Sequence, residues 1–152
     1  MPLAARVFNQ ATFRTRREDS PVATVNLTAA DFEQTVLDND IVLVDFWASW
    51  CGPCRSFAPT FEKASETHSD VVFGKVDTEA EQALAGAANI TSIPTLMAFR
   101  EGILVFSQPG ALPPQSLEQV ITAVKGLDMD DVKAQVAAHE QGHGEGAEGQ
   151  TG

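Results

Sequence analysis

Apolar and polar residues follow each other along the chain in blocks that predict strands and helices in turn. Residues 41–47 are apolar at all but one position, and this lack of alternation predicts a strand that is buried on both faces. Residues 95–100 and 103–107 are joined by Glu101 and Gly102, which predicts a β-hairpin. The other predicted elements are strands at 22–27 and 71–77, a helix opened by Thr28, and helices at 53–68, 79–88, 115–125 and 130–139.

This order of elements predicts the architecture and the division of the chain. Strands and helices alternate until a hairpin and a last helix close the series. We therefore expect an α/β fold, with a central mixed five-stranded sheet covered by helices on both faces. Residues 21–127 form one predicted domain, and 128–138 a helical extension. The tail at 139–152 is rich in glycine and glutamate and has one apolar residue, so it is predicted to be disordered.

The basic extension at residues 1–20 has three interpretations. It contains Arg6, Arg14, Arg16 and Arg17 with no acidic residue among the first seventeen, a bias that is typical of transit peptides. It lacks the apolar run of about 7–15 residues that a secretory signal needs. The composition favours a flexible extension without a targeting role, because short basic segments are common and unspecific.

Charge and composition exclude several classes of function. The 152 residues include 10 Lys and Arg against 21 Asp and Glu, which gives a net charge of −11. This excess of acid argues against nucleic acid or an anionic membrane surface as the main partner. No run approaches the roughly 18 apolar residues of a membrane-spanning helix. Two cysteines allow at most one internal disulfide, which excludes a scaffold held together by disulfides.

The candidate chemistry lies in the two cysteines, Cys51 and Cys54, which come just after the buried strand. A spacing of three residues on one helical turn places both sulfurs on the same face, close enough to bond. Cys51 would stand at the helix N-terminus, where free N–H groups and the helix dipole stabilise a thiolate. We therefore expect an exposed Cys51 that attacks a substrate disulfide, and a shielded Cys54 that then releases the reduced product.

Other interpretations of the cysteine pair fit the sequence less well. A zinc site needs four ligands at short spacing, whereas His68 stands alone and His139 and His143 lie in the acidic tail. No metal site is therefore predicted. A structural disulfide over so short a loop would add little stability. Two inert buried thiols stay possible, but the Gly-Pro dipeptide between the cysteines and the flanking tryptophan favour redox chemistry.

Several segments together resemble the thioredoxin family. Residues 44–55, VDFWASWCGPCR, are similar to its strand and active-site signature, and residues 92–95, SIPT, to its cis-proline loop. Residues 99–102 resemble its hairpin, and Gly110 with Ala111 resembles its final groove glycine. The resemblance spans about residues 22–127 in register. It implies the thioredoxin fold and a thiol-disulfide oxidoreductase.

The resemblance implies catalytic roles beyond the cysteines. Asp45 would be the buried carboxylate that takes the proton of Cys54, through water, and Lys75 would be the amine near it. An acid in the middle of a doubly buried strand is costly to ionise, so the pKa of Asp45 should rise toward neutrality, as a general base requires. The alternative is a structural Asp45 that is held by hydrogen bonds alone.

The resemblance also implies a substrate groove around the cysteine pair. Pro94 would be cis and lie against the cysteines, and the backbone of Ile93 would pair with the substrate as an added strand. The other implied positions are Trp47 beneath the site, Trp50 at its rim, Gly52 and Pro53 in the active-site turn, and Gly110 and Ala111 in the groove.

The implied activity is that of a cytoplasmic protein-disulfide reductase that serves cell redox homeostasis and electron transport. It would need no cofactor beyond its own disulfide and would be recharged by an NADPH-linked thioredoxin reductase. As a monomer, it would reduce proteins such as a peroxiredoxin, a methionine sulfoxide reductase or a ribonucleotide reductase. The Gly-Pro dipeptide favours this direction, because oxidising members of the wider fold carry histidine there. The alternatives are a disulfide oxidase or isomerase, a non-redox docking module and, for location, an organelle matrix.

Overall fold

The computed structural model describes residues 23–151, with side chains for residues 23–140. Five strands of the described residues form one sheet. The strands are β1 (Thr24–Asn26), β2 (Ile41–Trp47), β3 (Val72–Asp77), β4 (Thr95–Arg100) and β5 (Ile103–Pro109). The helices are α1 (Phe32–Asp38), α2 (Gly52–Thr67), α3 (Gln82–Ala87), α4 (Pro114–Lys125) and α5 (Met129–Thr151). The predicted basic extension at 1–20 lies outside the described residues.

Strand β2 lies at the centre of the sheet, whose order is β1-β3-β2-β4-β5. Strands β1 and β2 run parallel to β3, whereas β4 runs antiparallel to both β2 and β5. Asp45 of β2 is level with Lys75 of β3 on one side and with Leu96 of β4 on the other. The predicted α/β architecture and mixed five-stranded sheet are confirmed.

Side chains along β2 alternate between two apolar cores. Leu43 faces one core, which α2 and α4 cover with residues such as Phe61 and Ile121. Val44 faces the other core, which contains Val36 of α1 and is flanked by side chains of α3. Helices therefore lie on both faces of the sheet, and both faces of β2 are buried, as its unbroken apolar run predicts.

Acidic side chains form hydrogen bonds in the turns that lead into two of the helices. Asp31 Oδ1 accepts the N–H of Thr28 at 2.7 Å and the Phe32 N–H donates to the Thr28 carbonyl oxygen at 2.9 Å, so the predicted capping contact at Thr28 is confirmed, and the regular part of α1 begins at Phe32. The Asp77 carboxylate accepts the N–H groups of Glu79 and Ala80, and α3 starts at Gln82 rather than at 79. The Asp77 bonds are an example of a short polar side chain that competes with the helical backbone.

The C-terminal part of the chain differs from its prediction. The tail from 139 was predicted to be disordered, whereas α5 continues to Thr151. Four glycines within residues 139–151 disfavour a helix, so the local sequence pattern did not predict it. Among the residues that the structure describes, no helix is long and apolar enough to cross a membrane.

The β4–β5 hairpin holds the two C-terminal helices. The Arg100 guanidinium donates hydrogen bonds to the carbonyl oxygens of Val124 and Lys125, at 2.7 and 3.1 Å, and so caps the end of α4. The Lys133 ammonium forms an ion pair of 2.6 Å with Glu101 in the hairpin turn. Helix α5 is thus attached to the domain at the turn, at the end of the sheet where β2 begins.

Replacing Phe61 by alanine is expected to lower the free energy of unfolding by about 3–5 kcal/mol. The ring is fully buried and packs against Phe57 and Phe73, so its removal leaves a cavity. Leu104→Ala is the control, because Leu104 on β5 is 48% exposed. Urea denaturation measures both variants, and equal losses at the two positions would contradict the packing described.

Candidate active site

A disulfide joins Cys51 and Cys54 at the start of α2, with their Cα atoms 5.2 Å apart. Strand β2 ends at Trp47, and a short loop leads to Cys51, which is the N-cap residue of α2. The backbone N–H of Cys54 donates to Cys51 Sγ at 3.2 Å. The first turn of the helix therefore directs a hydrogen-bond donor at the sulfur that was predicted to form the thiolate.

The predicted difference in exposure between the two cysteines is wrong for the disulfide form. Cys51 is 4% exposed and Cys54 is 3% exposed. Cys51 Sγ bonds inward to Cys54 and lies 3.7 Å from the carbonyl oxygen of Ile93. Trp47 and Ile93 pack against the pair and cover it further.

Asp45 is a fully buried acid on the face of β2 that α2 covers, since it follows Leu43 by two residues. Burial raises the pKa of Asp45 from 3.8 to about 7, and the nearby Lys75 charge offsets only part of that rise. Among the described residues, neither carboxylate oxygen of Asp45 accepts a hydrogen bond. The predicted rise of the pKa is confirmed, and the hydrogen bonds that a structural role would require are not found within that part of the chain.

Lys75 occupies the neighbouring position on β3, and most of its side chain is buried. Its ammonium lies 5.0 Å from the ring centroid of Trp47 and 4.0 Å from the Glu62 carboxylate of α2. Trp47 in turn packs on the cysteine pair. The ammonium and the disulfide therefore contact the same aromatic ring.

The loop before β4 completes one side of the site. The Ile93–Pro94 peptide bond is cis, as the resemblance implied. The N–H of Gly110 donates to the Pro94 carbonyl oxygen at 2.7 Å, and Gly110 has a φ of +101°, which favours glycine. The structure therefore brings Gly110, and with it Ala111, next to the cis-proline loop.

Trp50 forms the exposed rim of the site, with 64% of its surface accessible. Its indole N–H donates to the Glu79 carboxylate at 2.7 Å. Glu79 was not predicted from the sequence, although the parallel pairing of β2 and β3 brings the loops that follow them to one edge. Gly52 and Pro53 lie between the cysteines in the first turn of α2, as predicted.

A metal site would require several ligating side chains close together among the described residues. Within them, no group of three or more histidine, cysteine, aspartate or glutamate side chains is placed to hold a metal ion. The His68 ring contacts Glu118 and Lys125 at the far end of α2, well along the helix from Cys51.

Known proteins resemble this chain over the same region. The family model described as Thioredoxin matches residues 23–123. A protein of Streptomyces coelicolor named "Putative thioredoxin 2" is 58% identical over 115 residues, which are 76% of this chain and 86% of that protein.

Solved structures give the same result for the fold. A mutant thioredoxin from Halobacterium salinarum has a TM-score of 0.65 and 33% identity, over 71% of this chain and 96% of that one. A structure on the thiol-resolving mechanism of yeast mitochondrial 1-Cys peroxiredoxin via the glutathione/thioredoxin systems has a TM-score of 0.61 and 30% identity, over 69% and 96%. With its cysteine pair at the start of α2, the chain belongs to the thioredoxin family and is a thiol-disulfide oxidoreductase.

Proposed function

We propose that this chain is a general protein-disulfide reductase, recharged by an NADPH-linked thioredoxin reductase. The observation that carries the proposal is the arrangement around the cysteine pair. Cys51 Sγ receives one backbone N–H at the helix start. The buried Asp45, with a pKa of about 7, lies on the strand beneath the same helix and accepts no hydrogen bond from the described residues. The backbone N–H favours a nucleophilic Cys51 thiolate, and the Asp45 carboxylate can accept a proton near neutral pH.

The reaction begins with the dithiol form. The Cys51 thiolate attacks one sulfur of a target disulfide, and the other target sulfur leaves as a thiolate that takes a proton from water. Cys51 is now joined to the target by a mixed disulfide. One target sulfur has been reduced to a thiol, and the other is still oxidised in the mixed disulfide.

The second step releases the target. Cys54 loses its proton to Asp45, through water, and its thiolate attacks Cys51 Sγ. The bond between Cys51 and the target breaks as the Cys51–Cys54 disulfide forms, and the released target sulfur takes up a proton. The target has gained two electrons, and the thioredoxin reductase then reduces the Cys51–Cys54 disulfide with two further electrons from NADPH.

The Gly-Pro dipeptide supports the reducing direction over the oxidase or isomerase alternative. A strong oxidant stabilises its thiolate with a nearby cation, which raises the reduction potential. Here the Arg55 guanidinium donates to the Ser49 carbonyl oxygen, and the Lys75 ammonium lies over Trp47. Neither of these contacts is made to Cys51. We expect a potential of about −270 mV, and a value near −180 mV or above would contradict the reductase.

The groove supports partners that present an extended backbone. Ile93 stands beside Cys51, and its backbone is suited to pair with a target segment as an added strand. A peroxiredoxin is the first partner to test, because one solved neighbour comes from work on peroxiredoxin resolution. A methionine sulfoxide reductase and a ribonucleotide reductase follow. We place this activity in the cytoplasm, with a monomer as the working form.

Reduction of insulin disulfides, with NADPH and a thioredoxin reductase, tests the proposal. We expect NADPH oxidation that depends on the chain and rises in proportion to its concentration. The Cys51→Ser, Cys54→Ser double variant is the control and should give only the background rate. Equal rates for the double variant and the unchanged chain would leave a docking module as the better explanation.

A further inference from the structure

We propose that Glu62 is a positioning residue for disulfide exchange: it draws the Lys75 ammonium away from Asp45 and so keeps the buried carboxylate free to accept a proton. This inference rests on the role of Asp45 proposed above. It assigns to one side chain of α2 the control of the pH range in which the second thiol is activated.

The proposal is based on the ion pair that Lys75 forms with Glu62 of α2. Lys75 and Asp45 are level on adjacent strands, side by side on the face that α2 covers. Opposite charges that are close together on a buried face attract strongly, because the protein interior screens them little. The Lys75 ammonium instead lies 4.0 Å from Glu62 Oε2, and within the described residues Asp45 accepts no hydrogen bond.

Two groups hold the ammonium in this position. The Trp47 ring, 5.0 Å from Lys75 Nζ, attracts the cation to its face. The Glu62 carboxylate, which is about one-third exposed, supplies the full negative charge. Trp47 is neutral and cannot compete alone with a buried carboxylate, so Glu62 decides where the ammonium lies.

The other charged or titratable groups near Asp45 do not replace Glu62. Strand β4 places the apolar Leu96 beside it. On β3, the Asp77 carboxylate accepts backbone N–H groups of the loop after that strand. On α2, the Arg55 guanidinium contacts the Ser49 carbonyl oxygen, and the cysteine pair is the group on which the acid acts.

The expected result of Glu62→Gln follows from this geometry. Without its carboxylate partner, the Lys75 ammonium is free to pair with Asp45, and the opposite charge favours the ionised acid. The pKa of Asp45 should fall by a few tenths of a unit, the size expected for a partly exposed ion pair. Lys75→Gln removes the ammonium itself and should shift the pKa of Asp45 upward.

The experiment has two readouts on the full chain. Carbon-13 NMR of the side-chain carboxyl groups follows the titration of Asp45 in the oxidised protein, where no turnover is involved. Stopped-flow resolution of a mixed disulfide between Cys51 and a peptide gives the pH profile of the second step. Glu66→Gln is the matched control, since it removes the same charge from an exposed position one turn further along α2.

Opposite shifts for Glu62→Gln and Lys75→Gln, in both the titration and the pH profile, would support the proposal. A Glu62→Gln titration that coincides with that of Glu66→Gln would overturn it. A shifted titration with an unchanged pH profile would show that Asp45 is not the base, and the inference would fail together with that role. The NMR readout therefore separates the two failures.

Discussion

Replacing Cys54 by serine is expected to stop turnover and to leave target proteins attached to Cys51. The first attack needs only the Cys51 thiolate, which the N–H of residue 54 still stabilises because that donor belongs to the backbone. The second step has no nucleophile in this variant, so the mixed disulfide accumulates. We expect insulin reduction to fall by roughly 10³-fold or more, as when other catalytic nucleophiles are removed.

The adducts are measured by non-reducing gels and intact mass spectrometry after incubation with an oxidised peroxiredoxin or with insulin. Cys51→Ser serves as the matched control, because it keeps Cys54 and loses the attacking sulfur. It should give neither turnover nor adduct. Adducts formed by Cys51→Ser and not by Cys54→Ser would reverse the assigned order of attack.

Replacing Asp45 by asparagine is expected to change both the pH dependence of stability and the rate of resolution. The pKa of Asp45 is about 7 in the folded state, against 3.8 for an exposed aspartate. Between these values the folded chain holds a proton that the unfolded chain has lost, so stability falls as pH rises from about 4 to 7. The loss is complete above pH 7 and amounts to roughly 4 kcal/mol, at about 1.4 kcal/mol per unit.

Asparagine cannot ionise, so the variant should lack this loss. Relative to the unchanged chain, Asp45→Asn should gain up to roughly 4 kcal/mol in unfolding free energy between pH 4 and pH 8. Urea denaturation of the oxidised proteins at several pH values measures the difference. Asp130→Asn, at an exposed position on α5, is the control and should follow the unchanged chain. A pH-independent difference for Asp45→Asn would show that the acid is ionised throughout.

The same variant should slow the release of the target. Without the carboxylate, Cys54 loses its general base, and we expect resolution to slow by up to roughly 10²-fold, most strongly between about pH 6 and 8. Stopped-flow measurement of the mixed disulfide gives the rate. An unchanged pH profile would make Asp45 a structural residue and leave proton removal to water.

Much of this arrangement is predictable because its causes are local in the sequence. The apolar run of β2 predicts burial on both faces, and an acid inside that run must then have a raised pKa. The spacing of Cys51 and Cys54 predicts a bond between them, and the strand before them predicts their place at a helix start. Each conclusion uses only neighbouring residues and the period of one element.

What the sequence did not predict depends on contacts between distant segments. The Glu62–Lys75 pair joins α2 to β3, and the Trp50–Glu79 bond joins two loops. The hydrophobic period of an element predicts which face a side chain lies on, but it does not predict which of several partners a charged side chain contacts. The burial of Cys51 was missed for the same reason, since residues 42 positions further on contribute to the cover.

The attachment of α5 at the hairpin turn has a practical consequence. Arg100 is level with Ile41 on β2, and Trp47 lies six residues further along that strand, roughly 20 Å away. A dye, an affinity handle or a solid support coupled to α5 near Lys133 is therefore kept at the opposite end of the molecule from the sulfurs. Immobilised in this way, the oxidoreductase would keep the surface around Cys51 and Cys54 accessible to a large protein.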